Sequence, residues 1–176
     1  QMYGIEIEEF PSLIAQTALW LTDQQMNMEF SHASGKMFKR LPLIASATIV
    51  NANALTTDWA TVIEPSKLSY ILGNPPFVGS RTMSREQKAD LLAVVGNIKE
   101  AGFLDFVTGW YFKAADMMQL NPAIQTALVS TNSISQGEQT SILWKPLLAS
   151  GVRINFAHQT FKWSNDARGN AAVYCV

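Results

Sequence analysis

The chain has 176 residues, 48% of them hydrophobic and 15% charged, enough to build the core of one α/β domain. Thirteen basic and fourteen acidic residues leave a net charge of −1, which argues against a module that grips nucleic acid through a basic face of its own. The single cysteine, Cys175, rules out an intrachain disulfide framework and a cysteine-rich zinc site, and it suits a reducing cytosol.

Gln1-Met2-Tyr3-Gly4 reads as a strand entered mid-stream, and Ala171 to Val176 as a strand cut short. The chain is therefore expected to be a piece of a longer protein, truncated at both ends. Tyr3 to Ile7 is a short buried strand. Phe10 to Met26 follows with Leu13, Ile14, Ala18 and Leu21 at helical spacing. Residues 27–44 are weakly patterned and read as an insert over the sheet. Ala47 to Asn51 is a second strand, and Leu68 to Gly73 a third that runs directly into Asn74-Pro75-Pro76-Phe77. Ser84, with Gln87 three residues on, predicts an N-capped helix through Val95. A helix over Phe103 to Met118 and a strand over Ala127 to Thr131 come next. The helix over Glu138 to Ala149 contains Pro146, which is expected to kink or end it. Arg153 to Thr160 and Ala171 to Val176 read as two final strands around the polar loop Ser164 to Asn170, an antiparallel hairpin closing an otherwise parallel sheet. Alternating βα units without repeats or linkers predict one doubly wound α/β domain over residues 1–176. No apolar run approaches the roughly 20 residues that span a bilayer. His32 and His158 lie far apart without ligand-like spacing, so no metal site is expected.

Doubly wound sheets bind ligands beyond the carboxyl ends of their strands. Three segments occupy such ends: Gly4 to Ile7, Asn51 to Leu55, and Gly73 to Phe77. A carboxylate in that place, Glu6, can accept two hydrogen bonds from a ribose diol. A carboxamide, Asn53, can pair with an adenine edge. Each alone is more often a solvated turn residue, and their joint position favours a ligand. The third segment is more specific. An exocyclic amine on an aromatic ring is a poor nucleophile, because its lone pair is delocalised into the ring. Two acceptors on its two N–H bonds hold the nitrogen nearer to tetrahedral and aim the lone pair outward. The Asn74 side-chain oxygen and the Pro75 carbonyl can be those acceptors, and Phe77 offers a flat face to the ring. The consecutive prolines stiffen the loop and preposition both. No general base is needed. As a bare tetrapeptide the motif is equally a stiff turn; after a strand and two candidate cofactor turns it is a strong signal.

On these residues the chain resembles the amino-group DNA methyltransferases, in the gamma arrangement of their motifs, over nearly its whole length. YGIEIEEFPSLIAQTALW resembles the motif whose acidic residue binds the cofactor ribose, which implies Glu6 on the ribose of S-adenosylmethionine and Ile7 against its adenine. Ala52-Asn53-Ala54-Leu55 resembles the next motif, where the family usually has Asp in place of Asn53; Asn53 and Ala54 are then adenine contacts. The Asn74 loop with its final Phe77 resembles the catalytic motif, in the form that favours N6 of adenine over N4 of cytosine. Thr160-Phe161-Lys162-Trp163 aligns with the region that lays an aromatic ring on the outer face of a flipped base, implying Phe161 first and Trp163 second. The resemblance implies a Rossmann-like, class I fold and duplex DNA with a flipped adenine as substrate. More narrowly, VSTNSISQGEQTSILWKPL and INFAHQTFKWSNDARGNAAVYCV are similar to bacterial polypeptides that fuse a nuclease, a methyltransferase and a target-recognition domain, hence a cytoplasmic bacterial protein.

The family's first motif, a glycine-rich turn after the first strand, is absent: the chain contains no Gly-x-Gly. That strand would lie between those ending at Glu6 and Asn74, so the chain alone is expected to bind cofactor poorly and to methylate nothing. Three other readings compete. Asn-Pro-Pro-aromatic loops also serve protein-glutamine and RNA-amine methyltransferases. The domain could be a catalytically inactive DNA-binding scaffold, or a nucleotide-binding α/β domain with unrelated chemistry.

Overall fold

The computed structural model describes residues 2–35, 47–163 and 173–176. The chain divides into two compact units, Gln1–Ile63 and Glu64–Val176.

In the first unit, β1 (Met2–Glu6) pairs in parallel with β2 (Ala47–Asn51), so that Glu6 and Asn51 stand opposite each other at the strand ends. Between them α1 (Glu9–Ser34) packs on both strands. Its first turn tolerates Pro11, whose missing N–H falls where no helical partner exists. The expected helix ends too early at Met26. Through the weakly patterned stretch after it, Asn27 bonds to Asp23, and the Ser31 and Ser34 hydroxyls donate to carbonyls four residues back. Gly35 then ends the helix in the left-handed region, at φ 64°. The rest of the expected insert, residues 36–44, lies outside the described residues. A single-turn helix, α2 (Trp59–Val62), is capped by the Asp58 carboxylate, which accepts the Ala60 N–H at 3.0 Å.

In the second unit, β3 (Tyr70–Gly73) pairs in parallel with β4 (Gln125–Leu128). Helices α3 (Arg85–Val95), α4 (Thr108–Leu120) and α5 (Gln139–Ala149) supply the core: Leu91, Val95, Ala114, Met117, Leu143 and Leu147 are buried. The expected capping box is formed, with Ser84 Oγ accepting the Gln87 N–H and Gln87 Oε1 accepting the Ser84 N–H. Pro146 lies within α5, which runs to Ala149 as expected; the Ser150 N–H closes onto the Pro146 carbonyl. The expected α4 begins five residues late, because Ala101–Phe103 form a separate 3-10 turn.

The last strands differ from expectation. Residues 153–160 form no strand, and all of them are exposed: their alternation finds no ladder among the described residues. The hairpin is instead β5 (Phe161–Trp163) antiparallel to β6 (Val173–Cys175), with Phe161 opposite Cys175. Its polar loop, Ser164 to Asn170, lies outside the described residues. The hairpin meets the segment just after β4: Thr131 bridges Cys175, and Ser130 and Val176 exchange two backbone hydrogen bonds of 3.1 and 2.9 Å. Among the described residues the fold is α/β, with two small parallel ladders and one antiparallel ladder.

Candidate active site

At the strand ends of the first unit, the β1 turn is fastened to β2 by a residue that sequence reasoning passed over. The Asn51 Nδ2 donates to the carbonyls of Glu6 and Ile7, at 3.0 and 2.9 Å, and the Ala52 N–H adds a 2.9 Å bond to the Glu6 carbonyl. Glu6 is half-buried; its Oε1 accepts the Glu8 N–H at 3.0 Å at the mouth of α1. Ile7 is exposed. After β2, the Asn53 Oδ1 accepts the Leu55 N–H at 2.9 Å, and its carbonyl accepts the Thr57 N–H and hydroxyl. The Ala54 carbonyl accepts the Trp59 indole N–H at 2.8 Å. This rigid Asx turn engages the Asn53 oxygen that the sequence reading reserved for an adenine edge.

In the second unit, β3 delivers Asn74 directly. The Val129 N–H holds the Gly73 carbonyl at 3.0 Å, so the loop starts from a fixed strand end. Gly73 lets β4 come close: a Cβ there would stand 3.1 Å from Leu128 Cδ2. Asn74 is exposed, Pro75 buried, Pro76 exposed and Phe77 half-buried. Among the described residues, nothing donates to the Asn74 side chain or to the Pro75 carbonyl. A three-residue turn follows, in which the Val78 N–H reaches the Pro76 carbonyl at 3.2 Å. The Val78 carbonyl then accepts the Phe106 N–H at 2.9 Å, and the Ser80 N–H donates to Asp105 Oδ1 at 2.7 Å. Asp105 Oδ2 accepts the Ser133 hydroxyl at 2.7 Å. Asp105, a position that the sequence left unremarked, thus meets the loop, and Ser133 bonds to its other oxygen. The available signal was an acidic residue at the mouth of an apolar helix, which reads equally well as an ordinary cap.

Phe161 belongs to the same unit as Asn74, lies in the paired strand β5 and is 38% exposed. Through the Thr131 bridge the backbone order runs β3, β4, β6, β5. Glu6, Ile7, Asn53 and Ala54 belong to the first unit. Among the described residues no three His, Cys, Asp or Glu side chains gather as a metal ion requires, and no helix is long and apolar enough to cross a membrane.

Comparison with known proteins agrees with this chemistry at the level of family. The family described as "MmeI, DNA-methyltransferase domain" matches residues 1–176. DNA methyltransferase A of Bacillus subtilis (strain 168) is 41% identical over 179 residues, an alignment that takes in all of this chain and 20% of that protein. The solved structure of the type IIL restriction-modification enzyme MmeI, in complex with DNA, is 59% identical and superposes with a TM-score of 0.89, covering 98% of this chain and 23% of that one. The chain thus spans about a fifth of the length of these relatives. It belongs to the family of MmeI-type DNA-methyltransferase domains.

Proposed function

We propose that the full-length protein containing this domain transfers a methyl group from S-adenosylmethionine to N6 of an adenine flipped out of duplex DNA, as part of a bacterial restriction–modification or phage-defence polypeptide. The observation that carries the reading is the state of the Asn74 loop. Two acceptors at a strand end have no donor among the described residues, while the backbone just beyond them is tied down at Val78 and Ser80. In this reading the Asn74 oxygen and the Pro75 carbonyl accept the two amine hydrogens, and Phe77 packs on one face of the base. Phe161 covers the outer face, offsetting part of the cost of unstacking. A doubly wound, class I sheet, completed by a first strand outside this chain, is part of the same proposal.

The residues of the first unit suit the cofactor. Among the described residues Glu6 engages only its Oε1, which leaves Oε2 for a ribose hydroxyl. Ile7 presents an exposed apolar face to a purine. With Asn53 Oδ1 engaged at Leu55, the backbone N–H of Ala54, which has no acceptor among the described residues, is the better donor to an adenine ring nitrogen. S-adenosylmethionine supplies the electrophilic methyl group when bound; the chain's own task is to aim the amine and hold the base.

The test is the product. Full-length protein incubated with labelled S-adenosylmethionine and duplex DNA is expected to yield N6-methyladenine on nucleoside analysis. Methyl groups recovered only on cytosine, RNA or protein would refute the assignment.

A further inference from the structure

We propose that Asp105 is a positioning residue for methyl transfer, clamping the loop that carries Asn74 to the loop that follows β4. The proposal rests on the catalytic reading of Asn74 and adds the residue that holds that loop in register.

The Asp105 carboxylate reaches both loops. Oδ1 accepts the Ser80 N–H, six residues after Asn74, at 2.7 Å; Oδ2 accepts the Ser133 hydroxyl at 2.7 Å. Ser133 Oγ also lies 2.6 Å from Thr131 Oγ1. With the Ser133 proton directed to the carboxylate, Thr131 is the donor of that pair. The chain of bonds therefore runs from Ser80 through Asp105 and Ser133 to Thr131, the residue that bridges the hairpin at Cys175. Asp105 itself is fixed on its backbone: Gln139 Oε1 accepts its N–H at 2.9 Å, and its carbonyl accepts the Thr108 hydroxyl at 2.7 Å. The neighbouring Phe106 N–H holds the Val78 carbonyl, so two consecutive residues grip the same loop.

A clamp of this kind serves chemistry more than folding. Hydrogen bonds to an ionised acceptor are the short, strong kind, and these two join segments 25 and 28 residues away in sequence. The segments they join are the continuations of two parallel strands at their carboxyl ends, where this class of sheet places its ligands. The prolines stiffen the loop from within, but they do not tether its far end. Asp105 and Phe106 supply the tether. Misplacing an acceptor by about 1 Å can slow a reaction by about 100-fold with little change in binding.

The test uses full-length protein with Asp105→Ala, Asp105→Asn and Ser133→Ala. Single-turnover methylation at saturating DNA and cofactor is measured beside both dissociation constants and amide exchange over residues 78–83. Asp105→Ala is expected to slow transfer by about 30- to 100-fold, to leave both dissociation constants within about threefold, and to speed exchange at Ser80. Asp105→Asn keeps an oxygen for the Ser80 N–H and can donate to Ser133 Oγ, so it should recover most of the rate. Ser133→Ala, the variant least able to disturb folding, should fall between. Unchanged transfer in Asp105→Ala or Ser133→Ala despite faster exchange would overturn the proposal, as would unchanged exchange. Equal loss in the Asn and Ala variants would also overturn it. Failure of the wild-type protein to methylate DNA would count against the catalytic reading alone, because exchange at Ser80 reports on the clamp without turnover.

Discussion

Asparagine serves three distinct purposes at the strand ends of this chain. Asn51 ties two turns together, Asn53 closes a local Asx turn, and Asn74 projects into solvent with its acceptor unengaged among the described residues. The first of these has a measurable consequence for the cofactor reading. Without the two Asn51 side-chain bonds, the Glu6-Ile7 turn keeps the Ala52 bond and the strand ladder, and each lost bond is worth about 1 kcal/mol. Asn51→Ala in the full-length protein is therefore expected to weaken S-adenosylmethionine binding by about tenfold, measured by calorimetry, with the saturated rate nearly unchanged; an unaltered dissociation constant would separate the Glu6 turn from the cofactor. Tyr111 offers a pH-dependent counterpart. Its hydroxyl lies 2.7 Å from the fully buried Ser130 Oγ, and burial raises the phenol above its ordinary value near 10, partly opposed by that hydrogen bond. Because the folded phenol holds its proton more tightly than the unfolded one, its contribution is complete below about pH 10 and is lost as the pH rises through the folded value. Tyr111→Phe should destabilise the domain by about 1–2 kcal/mol at neutral pH and flatten the fall in stability above pH 10, as read by urea titration.

Elements were legible where a short-range signal decided them. The Ser84–Gln87 box and the apolar run of Ala47 to Asn51 act through neighbours in sequence, and both appear as expected. Ser84→Ala should accordingly remove about 1 kcal/mol of domain stability, and a loss below about 0.3 kcal/mol in urea titration would show the cap to be redundant. Where a partner decides, the sequence was mute or misleading. Residues 153–160 alternate like a strand but find no ladder among the described residues, while the three residues after them pair with β6. The extension of α1 to Ser34 depends on hydroxyls bonding back to their own helix, a pattern that reads from sequence as polar and unhelical. Pro146 disfavours a helix locally yet sits within α5, which runs to Ala149 as expected, with Leu143 and Leu147 on either side buried. The site divides in the same way. Asn74 to Phe77 stands out as a candidate because stiffness and acceptors are written in four consecutive residues. Asn51, Asp105 and Ser133 do not, since their partners lie 25 to 45 residues away.

As a whole molecule, the domain carries parts of a methyltransferase distributed over two units, in a chain about a fifth as long as its relatives. The residues proposed for the cofactor lie in the first unit, and the loop proposed to hold the amine lies in the second. The chain contains no Gly-x-Gly turn for the methionine end of the cofactor. The 176-residue domain is accordingly expected to bind S-adenosylmethionine at least about 100-fold more weakly than the full-length protein, a difference of about 2.7 kcal/mol, and to transfer no methyl group; comparable affinities by calorimetry would show the missing turn to be dispensable. The Asn74 loop is tested most directly by methyl transfer in full-length protein carrying Asn74→Ala, measured alongside its affinity for DNA. If Asn74 aims the amine, transfer falls by at least about 100-fold while DNA binding stays within about threefold. Transfer at the wild-type rate would contradict the account.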